Sequence, residues 1–463
     1  MSTRTDLEEW AAARVHGICL KTGPPRKVGV ELEWLVRDVR DPALPVSADR
    51  IAAAVAGFNA VPDPDAATPA ASRLHLPSSV EPGVLPSGAA LTSEPGGQLE
   101  LSSLPADSLA DCVTMTTSDM AALRTAVAAA GLELAGYGLD PLRPPHRVLD
   151  LPRYAAMEAF FDRGGPWGRQ MMCGTASVQV CLDAGDESAG VTGYRYRWRL
   201  VHAIGPVLVA AFANSPLREG RPTGWRSTRQ QVWAHMDPGR TRPPRLDPDR
   251  DPRDVWTAYA LDAELMLVRD SGSPDWFAPP GVTFRTWLRS TDGAHGTTPA
   301  HGTTPAHRTA PLHGADGANG SNGSHGIDLL RRPTDEDLSY HLSTLFPPVR
   351  PRGYLELRMI DAQPGDGWIV PLAVATALLH DPVAADLALA ATEPLAEVGD
   401  PWLRAAWLGP ADPAVARASR ACFAAARTAL GRMGAPEGIT AAVDDFIETY
   451  VTRDRCPADD MDR

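Results

Sequence analysis

The segment "VGVELEWLV", residues 28–36, alternates apolar and polar side chains with a period of two, so it reads as a β-strand. Val30, Leu32 and Trp34 share one face, and Glu31 and Glu33 share the other. Neighbouring carboxylates repel, so a strand displaying both is costly unless a cation or a basic group sits between them. Three further segments repeat the pattern. In "GGQLELSS" (96–103), Gln98 and Glu100 oppose Leu99 and Leu101. In "TASVQVCLD" (175–183), Ser177, Gln179, Cys181 and Asp183 oppose Val178, Val180 and Leu182. In "GYLELRMID" (353–361), Glu356 and Arg358 oppose Leu355, Leu357 and Met359. An antiparallel sheet with one solvated face produces such alternation by itself. A solvated face favours Thr, Lys and mixed charge, however, whereas these strands carry carboxylates, amides and one arginine. Brought together, four such faces would form an oxygen-rich pocket of the kind that hard cations such as Mg2+ occupy with waters and substrate phosphates.

A second stretch, "FANSPLREGRPTGWRSTRQQVWAHMDPGRT" (212–241), leaves a helix, turns through Asn214-Ser215-Pro216 and then carries Arg218, Arg221, Arg226 and Arg229, with Arg240 following. Guanidinium groups on loops bind phosphate or carboxylate in bidentate fashion, although surface solubility explains most such residues. Acidic strands beside an arginine-rich loop are what phosphoryl transfer from a nucleotide requires: cations neutralise the phosphates and guanidiniums stabilise the transferring group. The glycines match neither GxxxxGK[ST] nor a GxGxxG between a strand and a helix, so a P-loop and a dinucleotide-binding fold are both unsupported.

The remainder of the chain narrows the field. Its 463 residues suit two or three average domains or one large unit with insertions. A net charge of −13 leaves no basic footprint for nucleic acid, and no basic amphipathic stretch points to a membrane surface. The N-terminus has acids where a signal peptide needs positive charge, and the longest apolar run, "LVHAIGPVLVAAFA", is too short to span a bilayer, so a cytoplasmic protein is expected. The six cysteines (Cys19, Cys112, Cys173, Cys181, Cys422 and Cys456) show no CxxC spacing and are expected to be free thiols. Helices are expected over 107–130, stopping at Gly131, over 194–213 and 253–270, and through most of a helical C-terminal part, 370–453, broken near Gly399-Asp400-Pro401 and Gly409-Pro410. Residues 293–326 repeat HGTTPA and hold almost no large apolar side chain, which predicts a flexible low-complexity insertion. Its His295, His301, His307 and His313 could bind metal, but a passive insertion is the better reading.

"VGVELEWL", "SEPGGQLELSS", "TASVQVCLD", "FANSPLREGRPTGWRSTRQQVW" and "GYLELRMID" occur in the order of the motifs of the glutamate–cysteine ligase family. The resemblance covers about residues 26 to 370 and is strongest to the plant and proteobacterial branch and to the actinobacterial enzymes that open ergothioneine biosynthesis. It implies an α+β, glutamine-synthetase-like catalytic fold over the whole chain as a single domain: a curved, mainly antiparallel sheet with a polar concave face and helices packed outside. It also implies the reaction. ATP activates the γ-carboxylate of L-glutamate as γ-glutamyl phosphate, and the amine of L-cysteine attacks it, releasing ADP and phosphate. By this resemblance Glu31, Glu33, Glu94, Glu100 and Glu356 are metal ligands for about two or three Mg2+ ions, with Mn2+ as the alternative. Of the two catalytic arginines, Arg358 lies near the transferred phosphoryl group and Arg229 contacts substrate or phosphate, while Gln98, Gln179, Asn214, Arg218 and Arg226 bind substrate or ATP. Gln179 falls where some branches carry a metal-binding His, so its role as ligand or substrate contact stays open, as does a monomer or a dimer. No cysteine is required as nucleophile. Two other functions remain compatible with the sequence: a ligase of the same superfamily using a different amine, and an inactive binding homologue.

Overall fold

The computed structural model describes residues 4–58, 84–269, 276–290, 329 and 331–461; the insertion at 293–326 lies outside them. The strands are β1 (Val28–Asp38), β2 (Ala90–Ser93), β3 (Leu99–Ser102), β4 (Leu132–Ala135), β5 (Ser177–Asp183), β6 (Leu217–Arg218), β7 (Arg221–Pro222), β8 (Val349–Pro351) and β9 (Tyr354–Asp361). Seven of them form one antiparallel sheet in the order β2-β3-β1-β5-β9-β8, with β4 added on the far half of β1. β6 and β7 make a separate small hairpin. The four alternating segments are therefore neighbours, and β1 lies between β3 and β5. Their apolar side chains are the inner face. Val30, Leu32, Leu99, Leu101, Val178, Val180, Leu355 and Leu357 are all buried, together with Trp34 and Met359, in one core with the helices Leu109–Ala129, Tyr194–Ala211 and Ile369–His380. Each such side chain stabilises the fold by about 1.5–3 kcal/mol through loss of water contact. Sheet and helices together form the expected α+β arrangement.

Local chemistry starts and stops the helices. Ser108 caps Leu109–Ala129 by accepting the Asp111 N–H, and Gly131 follows its end at φ +68°. Asp-Pro is the recurrent start signal. Asp237, Asp251, Asp381, Asp400 and Asp412 each cap a helix whose first residue is the following proline. The C-terminal helices Ile369–His380, Pro382–Thr392, Pro401–Leu408, Pro413–Arg432 and Glu437–Thr449 are thereby broken into short rods. The helix expected over 253–270 is shorter, Pro252–Asp262. Ala263 turns extended, and the Leu265 N–H pairs with the Val282 carbonyl, a long-range bond that overrides local helical pattern. No single helix among the described residues is long and apolar enough to cross a membrane. All six cysteines are free.

Candidate active site

The polar sheet face borders a cavity of about 260 Å³. Charge changes sign across the sheet. On the β3–β1 side the lining is acidic: Glu31 and Glu33 from β1, Glu100 from β3 and Glu94 from the turn before it. On the β9–β8 side it is basic, with Arg358 from β9, Arg350 from β8 and Arg352 from the turn between them, joined by Arg153 and Arg229 from the helices Pro152–Asp162 and Thr228–Met236. Tyr154, Met157, Met171, Met172, Trp233 and Phe346 complete the lining with apolar surface.

Register explains the acidic side. Glu33 stands directly opposite Glu100 across the β1–β3 ladder, and Glu31 opposite Gln179 across β1–β5. Directly opposed like charges destabilise a sheet pair. Neutral donors hold Glu33: the Ser177 hydroxyl at 2.9 Å and the Gln179 amide at 2.8 Å. Glu100 accepts from the Ser102 and Thr92 hydroxyls at 3.3 and 3.4 Å. Burial, reinforced by the Glu356 carboxylate, pushes the Glu31 pKa up to about 8. The Cys181 thiol, 3.9 Å from Glu31, has its pKa pushed well up by burial and that carboxylate, which disfavours the nucleophilic thiolate. The turn that brings in Glu94 is built by glycines. A Cβ on Gly96 would lie 2.2 Å from the Cys173 carbonyl oxygen, and Gly97 has φ +86°.

The basic side is organised around Glu356, which is fully buried beneath the cavity and accepts from Arg350 Nε and Nη2 at 2.6 and 3.0 Å and from Arg358 Nη1 at 2.9 Å. Burial alone would raise its pKa, but Arg350 and Arg358 outweigh it and hold the carboxyl well below the usual range. Gln179 links the two sides, accepting from Arg358 Nη1 at 2.6 Å while donating to Glu33. Arg229 is only 1 % exposed; its Nη2 donates to the Arg358 carbonyl at 2.8 Å and its guanidinium stacks 4.5 Å from the centre of the Trp233 ring. Arg229 Nε and Nη1 and Arg358 Nε are buried N–H groups without a hydrogen-bond partner. Arg229 Nη1 faces the Asp361 carboxylate, 3.9 Å away, so the donors left for an acceptor from outside the chain are Arg229 Nε and Arg358 Nε.

Glu31, Glu33, Glu94, Gln98, Glu100, Gln179, Arg229 and Arg358, all singled out from sequence, thus line one cavity. Glu356, expected as a metal ligand, has both oxygens engaged by guanidiniums. Gln98 spends its amide on the Gly96 N–H and the Met172 and Thr175 carbonyls, tying down the turn that carries Glu94. Asn214, Arg218 and Arg226 are not part of the lining. Asn214 bonds the Gly136 and Ala362 carbonyls, Arg218 lies on the exposed β6–β7 hairpin, and Arg226 pairs with Asp459. Sequence reasoning missed Arg153, Arg350 and Arg352. "VRPRGYLELR" does hold a signal: a tight turn at Gly353, φ +84°, pairs Arg350 directly with Glu356.

Sequence comparison extends this picture over the full chain. Residues 27–463 match the model of glutamate-cysteine ligase family 2 (GCS2). The glutamate–cysteine ligase EgtA of Mycobacterium tuberculosis is 37% identical over 97% of this chain and 89% of its own length, and that of Mycolicibacterium smegmatis is 37% identical over 98% and 90%. The chloroplastic glutamate–cysteine ligase of Brassica juncea is 28% identical over 59% of this chain and 46% of its own. Among solved structures, the glutamate–cysteine ligase of Francisella tularensis in complex with AMP superposes with a TM-score of 0.49 at 10% identity, covering 95% of this chain and 84% of that one. By the extent of the family match and by these relatives, the chain belongs to glutamate–cysteine ligase family 2.

Proposed function

We propose that the chain joins the γ-carboxylate of L-glutamate to the amine of L-cysteine with ATP, giving γ-glutamylcysteine, ADP and phosphate, the first step of ergothioneine biosynthesis in the cytoplasm. The observation that carries this reading is the opposed pair Glu33 and Glu100 facing one cavity with Arg229 and Arg358, whose buried N–H groups await an acceptor. Among the described residues no three acidic, His or Cys side chains close on one point. Any Mg2+ bound here would therefore rely on one or two carboxylates, with phosphate oxygens and water completing its shell. The donor set fits: Glu31, Glu33, Glu94 and Glu100 offer only oxygen, and the like charges of Glu33 and Glu100 are relieved by a cation. Bound Mg2+ would neutralise phosphate charge so that an anionic nucleophile can approach.

The residues of the chain supply position and the opposite charge. Arg358 and Arg229 direct N–H groups at the transferring phosphoryl group, held there by Glu356, Gln179 and each other. A γ-carboxylate oxygen of glutamate attacks the γ-phosphorus as the bond to ADP breaks; the cysteine amine then attacks the acyl carbon, loses a proton, and inorganic phosphate leaves. Thioether and aromatic surface from Met157, Met171, Met172, Trp233 and Phe346 suits the small polarisable side chain of cysteine and excludes the water that would hydrolyse the acyl phosphate. The test is ADP release with Mg2+, ATP and L-glutamate, with and without L-cysteine, and the product identified by mass. Cysteine-dependent release yielding γ-glutamylcysteine is expected. Turnover with another amine but not cysteine rejects the substrate, and no turnover with any amine rejects the ligase.

A further inference from the structure

The ladder between β5 and β9 slips by one residue within the site. Val180 pairs with Leu357 but Val178 pairs with Ile360, so Arg358 and Met359 together face Gln179. Such a bulge leaves backbone groups unpaired and re-aims the side chains around it. On the other side of β9, the pairing with β8 ends at Val349 and Leu357, so among the described residues no strand follows the bulge there. Two consecutive side chains instead meet its two carbonyls. Arg229 Nη2 donates to the Arg358 carbonyl at 2.8 Å, and Gln230 Nε2 donates to the Met359 carbonyl at 2.9 Å.

The slip also turns Asp361 onto the face that carries Arg358. Five residues beyond Glu356, a regular strand would point it to the other face; with the slip it pairs with Ser177, whose hydroxyl reaches Glu33 on the cavity side. There the Asp361 carboxylate accepts from the Asn214 N–H at 2.9 Å and from the hydroxyls of Ser215 and Ser227 at 2.7 and 2.9 Å. These residues fix the turn and the cap that start the helix Thr228–Met236, and hence place Arg229 and Gln230. The bulge orients Asp361, Asp361 seats the helix, and the helix caps the bulge.

We infer that Gln230 is a positioning residue of the ligase: by holding the bulged Met359 carbonyl it sets the direction of the Arg358 guanidinium, although it does not line the cavity. The inference rests on the function proposed above. Its test is a double-mutant cycle of Gln230→Met, which keeps the side chain's length and removes the donor, with Arg358→Lys. Gln230→Met is expected to lower kcat about tenfold, since a small misplacement of a catalytic group is costly in rate. KM for ATP and glutamate should stay within about twofold and the melting temperature within about 2 °C. In the Arg358→Lys background the same change should cost less than about twofold, because the guanidinium it aims is gone. Gln230→Glu, near-isosteric but with only acceptors, should behave like Gln230→Met and serves as the second variant should that one fold poorly. An equal loss in both backgrounds, or an unchanged kcat in both single variants, overturns the inference. If the wild-type chain ligates nothing, the functional reading fails; the clamp is then read from the crystal structure of Gln230→Met, where an Arg358 guanidinium still bonded to Gln179 and Glu356 overturns it and a displaced one sustains it.

Discussion

Glu33 and Glu356 are separated by one strand of the same sheet, yet their charges are handled in opposite ways. Glu356 is enclosed by Arg350 and Arg358, so the protein neutralises it internally. Glu33 faces Glu100 and is held by a hydroxyl and an amide, groups that orient a carboxylate without cancelling its charge. The contrast separates a carboxylate paired with guanidiniums from one held by neutral partners. Sequence pattern alone makes them look alike, since each sits between two apolar residues of an alternating strand, Leu32-Glu33-Trp34 and Leu355-Glu356-Leu357.

Mutation should pull the two apart. Glu356→Ala strands two guanidiniums in a buried setting, and breaking such a pair costs about 3–5 kcal/mol, read as a lower urea midpoint. Activity falls with it. Glu33→Gln should lower kcat/KM about 100-fold, or about 2.7 kcal/mol, and raise the Mg2+ needed for half-maximal rate, yet make the metal-free protein more stable by about 0.2–1 kcal/mol through relief of the repulsion with Glu100. A fall in stability for Glu33→Gln, or none for Glu356→Ala, would break the comparison.

His341 shows a third treatment of a buried titratable group, neutrality. Burial pushes its pKa down to about 3 while its Nε2 bonds the Ala260 carbonyl at 2.7 Å. The native ring stays uncharged, whereas the unfolded chain takes up a proton below its ordinary value near 6.5. This contribution to stability is therefore complete above pH 6.5 and is lost as pH falls from there towards about 3. Between pH 7 and 5 the wild type should lose about 1–2 kcal/mol more than a His341→Gln variant, measured by urea unfolding at both values. The smallest effect is expected at Arg218: on the exposed hairpin, its replacement by alanine should change kcat/KM by less than about twofold. A larger loss would bring that hairpin into the site.

Much of this was legible in the sequence, and for a local reason. Period-two alternation reports which residues share a face, so Glu31 with Glu33, and Glu356 with Arg358, could be paired before any coordinates. The helix over 109–129 was legible from its cap and terminating glycine. Long-range pairing was not. β8 has three residues and ends in proline, β2 and β4 have four each, and the β5–β9 slip leaves no mark in composition. Arg350 and Arg352 owe their place to the hairpin of β8 and β9, and Arg153 to a helix far away in sequence. Asn214 belongs to a segment read as a turn and Arg226 to the arginine-rich loop read after it, but Asn214 bonds the Gly136 and Ala362 carbonyls and Arg226 pairs with Asp459.

The bonds that Asp361 makes with Asn214, Ser215 and Ser227 span 147, 146 and 134 positions of sequence. Contacts so distant close late, since much chain must be ordered before they reward it. During synthesis the consequence is an order of events. A nascent chain can display the β1 carboxylates from its earliest length, but it acquires the arginines of β8 and β9, and the anchor that seats Arg229, only when residue 361 has cleared the ribosome. Chains that stop before β8 thus lack Arg350, Arg352 and Arg358, the basic side of the cavity, and a truncation there should be inactive.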